Sequence, residues 1–201
     1  MANHVSTFIT VDATTDIIQH LKEKILTNCV RDGFSLDTNS SLRLFSMLYP
    51  DWPTKNGEPD WPDRSYMLEN VGAKWCFLED CYVNNDDTIM ELSFTSAWDA
   101  PENLFYEFAE YVRNLIKSPT SEFEMELAAE DEALLHLSGG FANRFGTEFI
   151  CDYDCNFNRP DEGDYEETEH HDLALDEFWD AVINYKNELI NECKQELITY
   201  P

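Results

Sequence analysis

Residues 88–117 read TIMELSFTSAWDAPENLFYEFAEYVRNLIK, a predicted strand followed by the clearest helix signal in the chain. The strand is expected over 88–98. Asp99 with Glu102 three residues later resembles a capping box, so a helix is expected to begin there and to extend over 100–117. The apolar residues at helical spacing are Leu104, Phe105, Phe108, Val112, Leu115 and Ile116.

Further elements flank this pair on both sides. A strand over 74–83 is joined to the next strand by a hairpin turn at 84–87. At the start of the chain, residues 3–11 alternate apolar and polar side chains and predict a strand, which helix 14–27 follows. After the central helix, residues 121–128 alternate apolar side chains with glutamate, which is typical of a half-buried strand.

The order β, α, β, β, α, β predicts an α+β fold with a ferredoxin-like antiparallel sheet and two helices on one face. This domain is expected over residues 1–150, with an inserted loop at 28–70. Residues 151–201 are expected to add an acidic loop and a long final helix packed on the same domain. The predicted core includes Phe105, Phe108, Val112, Trp98, Phe123 and Met125.

The inserted loop at 28–70 is predicted to be irregular. It contains the repeat Asp51-Trp52-Pro53 and Asp60-Trp61-Pro62, and each proline restricts the tryptophan before it to extended geometry. A surface loop that packs its own tryptophans is the main interpretation, and an insertion lid is the alternative. Further on, Gly139-Gly140 is interpreted as a break before a strand near 147–153.

The composition is strongly acidic. The chain has 41 Asp and Glu against 13 Lys and Arg, which gives a formal net charge of −28. Residues 118–185 hold 19 of these acids and only Arg144 and Arg159 as bases. A field of this sign repels nucleic acid and anionic membranes and attracts basic proteins, so we expect no direct nucleic-acid binding. Solubility or halophilic adaptation is the alternative reason for the acidity.

The protein is expected to stay in the cytoplasm. Its first twenty residues contain neither a basic region nor a continuous apolar run, and no stretch approaches the roughly 18 apolar residues of a membrane span. The six cysteines, without an export signal, are interpreted as reduced thiols.

The acidic side of the strand at 121–128 is the candidate binding surface. Glu122, Glu124 and Glu126 lie about 6.6 Å apart in succession along a strand. Phosphates along a nucleic-acid strand are separated by a distance of the same order, since the axial rise is about 3.4 Å per nucleotide. Either a surface that imitates nucleic acid or a solvated sheet edge explains the pattern. The candidate partner-binding residues that follow in the chain are Asp152, Asp154, Asp161, Glu162, Asp164, Glu166, Glu167 and Glu169.

Patterns that carry catalytic or metal chemistry are weak. Cys151, Cys155, His170 and His171 offer four zinc ligands, but adjacent histidines fit a tetrahedral site poorly. The acids after Asp152 lack the spacing of a calcium loop, and the chain has no glycine-rich phosphate loop. We therefore expect no catalytic residues, no cofactor and no metal, and interpret the protein as non-enzymatic.

Four motifs resemble the YubB-like ferredoxin-like domain family of plasmid and bacteriophage proteins. They are Asn3-His4-Val5, Glu69-Asn70-Val71-Gly72-Ala73-Lys74-Trp75, Phe94-Thr95-Ser96-Ala97-Trp98-Asp99-Ala100-Pro101 and Gly140-Phe141-Ala142. They occur in the right order within residues 1–150. The resemblance implies a ferredoxin-like fold and an origin on a mobile element, and it implies no activity.

The chain departs from the family pattern within two of these motifs. The family usually has Gly-Thr-Lys-Trp and Thr-Ala-Trp-Ser-Pro-Pro, and this chain differs at Ala73, Ser96, Asp99 and Ala100. Trp75 and Trp98 are interpreted as core anchors, and Lys74 is expected to extend over one of the two rings.

The leading functional hypothesis is a phage- or plasmid-encoded nucleic-acid mimic. It would bind and inhibit a basic nucleic-acid-handling protein of the host, such as a CRISPR effector, restriction enzyme, recombination nuclease or polymerase. A viral assembly module that oligomerises through the final helix, for example as a homodimer, is the second hypothesis. A small zinc-dependent enzyme that uses the cysteine–histidine set is the third.

Overall fold

The computed structural model describes residues 3–29, 33–37, 39–118, 121–134, 136–153, 155, 157, 160 and 168–199. The protein is α+β, with a six-strand antiparallel sheet and a long C-terminal helix. The strands are β1 (His4–Ala13), β2 (Thr27–Cys29), β3 (Gly33–Ser35), β4 (Thr54–Lys55), β5 (Glu58–Pro59), β6 (Cys76–Val83), β7 (Ile89–Ala97), β8 (Phe123–Asp131), β9 (Leu137–Asn143) and β10 (Thr147–Asp152). The helices are α1 (Thr15–Ile25), α2 (Ser40–Leu48), α3 (Arg64–Tyr66), α4 (Glu102–Leu115) and α5 (Thr168–Thr199), and a π-helix at Met67–Val71 follows α3.

The main sheet has the strand order β10-β9-β8-β1-β7-β6, and all neighbouring strands are antiparallel. β1 lies inside the sheet, where Ile9 stands opposite Leu92 of β7 and Leu127 of β8. Because side chains alternate along a strand, this register puts the apolar residues of all three strands on the same face.

The main core lies between that face and helices α1 and α4. In β1, Val5, Ile9 and Val11 are fully buried, whereas Phe8 points to the opposite face and is half exposed. The predicted core is confirmed for Phe105, Phe108, Val112, Phe123 and Met125, each at most 2% exposed. The prediction was wrong for Trp98, which is 37% exposed.

The inserted segment 28–70 is more ordered than predicted. It contains helix α2, the hairpins β2–β3 and β4–β5, and helix α3. The expected packing of its tryptophans is confirmed, since Trp52 is buried against Phe45 with ring centroids 5.1 Å apart and stands 6.3 Å from Trp61. Packing against the core, rather than local propensity, orders this segment.

The start of the central helix differs from the predicted capping box. The helix begins at Glu102, and the residue before its first turn is Pro101, which makes no side-chain capping hydrogen bond. The Glu102 amide instead donates to the Ala100 carbonyl at 2.8 Å. Backbone geometry therefore begins this helix, and the Asp99 side chain is not its cap.

The Gly139-Gly140 pair was predicted to be a break, and this prediction was wrong. Both glycines lie within strand β9, between two helices that approach opposite faces of the sheet. A Cβ on Gly140 would stand 2.8 Å from the Phe105 ring of α4. A Cβ on Gly139 would stand 2.6 Å from the Leu189 Cβ and 2.7 Å from the Ile190 backbone nitrogen of α5. The two glycines therefore leave space for a helix on each side.

Gly139→Ala tests the close approach of α5 to β9. Because the new methyl group meets helix backbone that cannot move independently, we expect a loss of about 1–3 kcal/mol in the free energy of unfolding, measured by urea denaturation. Gly146→Ala is the matched control, since its Cβ meets only the far end of the Leu197 side chain, at 2.6 Å. Equal losses from both substitutions would contradict this account.

Candidate interaction surface on the open half of the sheet

The described residues cover only half of the second face of the sheet. Helix α5 packs on β8, β9 and β10, with Leu189, Phe178 and Val182 buried beside Leu137 of β9. On the β1–β7–β6 half, Phe8 is 49% exposed and Tyr82 is 55% exposed. We call this half the open face, and its outward residues are Ser6, Phe8, Thr10 and Asp12 of β1, Glu91, Ser93 and Thr95 of β7, and Phe77, Asp80 and Tyr82 of β6.

Aromatic rings and carboxylates share the open face. Phe8 stands opposite Ser93, which stands opposite Asp80 on the edge strand. Two residues further along these strands, on the same face, Tyr82 stands opposite Glu91. These five side chains line one depression of about 340 Å³. A ligand that enters it meets the Tyr82 ring beside the Glu91 carboxylate, whereas Ser93 separates the Phe8 ring from Asp80.

The carboxylates at one end of the open face lie close to one another. Asp12 stands directly opposite Glu124 of β8, and Thr10 lies between Glu91 and Glu126. Asp12, Glu91 and Glu124 form no ion pair with any residue that the structure describes. Like charges directly opposite in a sheet are destabilising. None of the residues in the six strands is a lysine or arginine, so the sheet itself offers no neutralising charge.

Two glutamates of β8 are neutralised from above by α5. Lys186 contacts Glu130 and Lys194 contacts Glu126, each with a nitrogen–oxygen distance of 2.5 Å. Lys194 also lies over the Phe141 ring, 4.9 Å from its centroid. The docked helix thus places its cations over the acidic side of β8 and leaves the open face without them.

The expected row of free carboxylates on β8 is therefore interrupted. Glu122 and Glu124 are exposed as predicted, whereas Glu126 is half buried beneath α5 and paired with Lys194. The residue that extends the acidic surface is instead Asp12 on the neighbouring strand. The predicted strand at 3–11 ended before Asp12, and only the pairing register shows that Glu124 lies opposite Asp12.

The second group of predicted partner-binding residues lies mostly outside the described residues. This is the case for Asp154, Asp161, Glu162, Asp164, Glu166 and Glu167. Glu169 falls in the first turn of α5, and its side chain also lies outside the description. Asp152 ends β10 and is half buried. The Tyr185 hydroxyl donates to its carboxylate, and this hydrogen bond raises the pKa of Tyr185 to about 12.

An aromatic row borders the open face along β6. The rings of Trp61 and Phe77 lie 5.1 Å apart, those of Phe77 and Trp75 5.5 Å, and those of Trp75 and His4 5.3 Å. Trp61 and Phe77 are both exposed. Contiguous, exposed aromatic side chains are typical of protein interfaces.

Trp98 has a special backbone and a polar environment, which explains why it is not a core anchor. Its φ of +80° directs the chain out of β7, and its amide donates to the Asn3 carbonyl at 2.9 Å. The ring lies between two cations, with Arg64 at 4.4 Å and Lys74 at 4.9 Å from its centroid. The prediction that Lys74 extends over a tryptophan is confirmed. Trp75, the other predicted anchor, is half buried.

The cysteine pair considered for zinc lies near the end of β10. Cys151 and Cys155 are half buried, and burial raises the pKa of both thiols. The Cys155 thiol donates to the Asp152 carbonyl at 3.3 Å. The side chains of His170 and His171 lie outside the described part of the chain. Among the residues that are described, no three His, Cys, Asp or Glu side chains form a group able to hold a metal ion.

Comparisons of this chain with protein-family models, with curated proteins and with solved structures found no match. Within the described ranges, no helix has the length and apolarity needed to cross a membrane. The chemistry of the open face is therefore the basis for a functional proposal.

Double-mutant cycles test how firmly α5 is held over β8. We expect Lys186→Met and Glu130→Gln to show a coupling energy of about 1–2 kcal/mol in unfolding experiments, because this pair is largely shielded from water. The side chains of Lys194 and Glu126 are 31% and 40% exposed, so the matched cycle should give less than about 1 kcal/mol. A larger coupling at the more exposed pair would contradict the described packing.

Proposed function

We propose that this protein is an acidic interaction protein that imitates nucleic acid and thereby binds and inhibits a basic nucleic-acid-handling protein. A CRISPR effector, a restriction enzyme, a recombination nuclease or a polymerase is the class of partner that fits. The observation that supports this most directly is the group of exposed sheet carboxylates, Asp12, Glu91 and Glu124, that lack a cationic partner among the described residues.

The overall charge supports the same function. A formal net charge of −28 creates a field that attracts positively charged clefts and accelerates association with them. Self-repulsion of this size lowers folding stability, so a use for the charge is more plausible than its accidental retention. The same field repels DNA and RNA, because binding to phosphates requires lysine and arginine.

The geometry of the sheet suits an imitation of phosphate spacing. Alternate residues along a strand are about 6.6 Å apart, and adjacent strands are about 4.8 Å apart. Asp12 and Glu124 occupy opposite positions on adjacent strands, and Glu91 lies on the far side of β1 from β8. The three carboxylates thus lie on three adjacent strands, β7, β1 and β8. A charged surface of this width suits a cleft better than a single line of contacts does.

We further propose a ferredoxin-like core of mobile-element origin. The central strand order β8-β1-β7-β6, with α1 following β1 and α4 joining β7 to β8, supports this arrangement. The YubB-like motifs support the origin, and β9, β10 and α5 then extend the core on one side. On this proposal the protein acts without catalysis and without a cofactor, in the cytoplasm of the host cell.

A second candidate function is assembly through α5, as a homodimer or a viral structural module. Leu173, Ile183 and Ile198 of this helix are large apolar residues that are exposed. Sedimentation equilibrium distinguishes the two functions. A stable homo-oligomer that Ile183→Glu dissociates would favour assembly, whereas a monomer would favour the mimic.

Affinity purification from a bacterial lysate tests the proposed function. We expect the captured proteins to be basic nucleic-acid-binding proteins that are released by high salt and displaced by duplex DNA, since both ligands would occupy one cleft. The variant Asp12→Lys/Glu124→Lys should lose at least tenfold in affinity for the purified partner. The control Asp16→Lys/Glu23→Lys makes the same charge change on exposed positions of α1 and should lose far less.

Two outcomes would contradict the mimic. Equal losses from both double variants would mean that net charge alone drives the interaction. A stable ternary complex of the protein, its partner and DNA would mean that the protein does not occupy the nucleic-acid cleft. In a gel-shift assay at physiological salt, the protein itself is expected to bind neither DNA nor RNA.

A further inference from the structure

The open face presents more than charge, because two aromatic rings line its depression together with two carboxylates. Glu91 is directly opposite Tyr82, and Asp80 lies in the same cross-strand row as Phe8. Phe8 lies on the interior strand β1 and Tyr82 on the edge strand β6, and each exposes about half of its surface. Exposed rings of this size on a sheet face indicate a contact surface.

We infer that the open face binds arginine side chains of a protein partner, an inference that rests on the proposed function. A guanidinium group is planar, so it stacks on an aromatic ring while its edge donates two hydrogen bonds to a neighbouring carboxylate. Tyr82 and Glu91, directly opposite each other on adjacent strands, offer this combination in a depression that Phe8 and Asp80 also line. A lysine ammonium matches the carboxylates but lacks the planar fork and stacks less well.

Charge excludes the other occupants of such a face. A second copy of this chain would bring a formal charge of −28 against carboxylates that already have no cations on their own strands. An apolar helix would cover the rings but would also remove Asp80 and Glu91 from water without pairing them, which is costly. A nucleic-acid strand would stack on the rings, but its phosphates would meet the same carboxylates.

The arginine preference is measured with two defined probes, a nona-arginine and a nona-lysine peptide of equal charge. The full-length protein should bind both in a salt-dependent manner and should bind the arginine peptide about tenfold more tightly by isothermal titration calorimetry. Amide chemical-shift changes that are specific to the arginine peptide should map to β1, β7 and β6.

Substitutions locate the preference on the rings. Phe8→Thr/Tyr82→Thr introduces residues that favour strands. It should lower the affinity for the arginine peptide to the level of the lysine peptide and should change the affinity for the lysine peptide little. Phe8→Leu/Tyr82→Leu keeps apolar surface without an aromatic face and should have the same effect, provided that its thermal unfolding is that of the wild type. The control Phe145→Thr/Tyr153→Thr removes the same residue types, 73% and 65% exposed, outside the open face and should keep the preference.

The outcomes separate this inference from the proposed function. Equal affinity for the two peptides, or a preference that survives both ring variants, would overturn the arginine site and leave the acidic mimic standing. If neither peptide binds in a salt-dependent manner, the proposed function and the arginine site are overturned together.

Discussion

The close approach of α5 to strand β9 is the constraint on which the arrangement of this protein depends. At Gly139 the helix backbone comes so near that a single added methyl group would lie 2.7 Å from the Ile190 nitrogen. On the opposite face, Gly140 gives the same space to the Phe105 ring of α4. Because α5 is held at β9, it covers the β8–β10 half of the sheet, and no other element in the described ranges covers this face of β1, β7 and β6.

The position of α5 also determines where the negative charge is available. Lys186 and Lys194 stand above β8 and neutralise Glu130 and Glu126, so these two glutamates contribute to holding the helix. Asp12, Glu91 and Glu124 form no ion pair with those lysines or with any other described residue. Within the described part of the chain, the acidic sheet is thereby divided into a paired half that stabilises the fold and an unpaired half that, on our proposal, binds a partner.

Local patterns predicted most of the secondary structure of the main sheet, but not the helix and hairpins within 28–70 or the position of Trp98. Strands β1, β6, β7, β8 and β10 and the central helix were expected within two or three residues of their observed ends, because periodicity of apolar residues is a local property. Helix α2 within 28–70 was missed; its Phe45 is buried against Trp52, a contact that local spacing does not encode. Trp98 was misplaced because its φ of +80° turns the ring away from the core, toward Arg64 and Lys74.

The sequence by itself determined the acidity, the alternation of apolar and polar residues along β1, and the main elements of an α+β fold. Only the tertiary structure decided which charges remain unpaired. Lys186 and Glu130 are 56 residues apart and Lys194 and Glu126 are 68 apart, and neither pair forms until α5 docks. Asp12 meets Glu124 only through the register of β1 with β8. Charge is a property of the residues, whereas its neutralisation depends on long-range contacts that local periodicity does not encode.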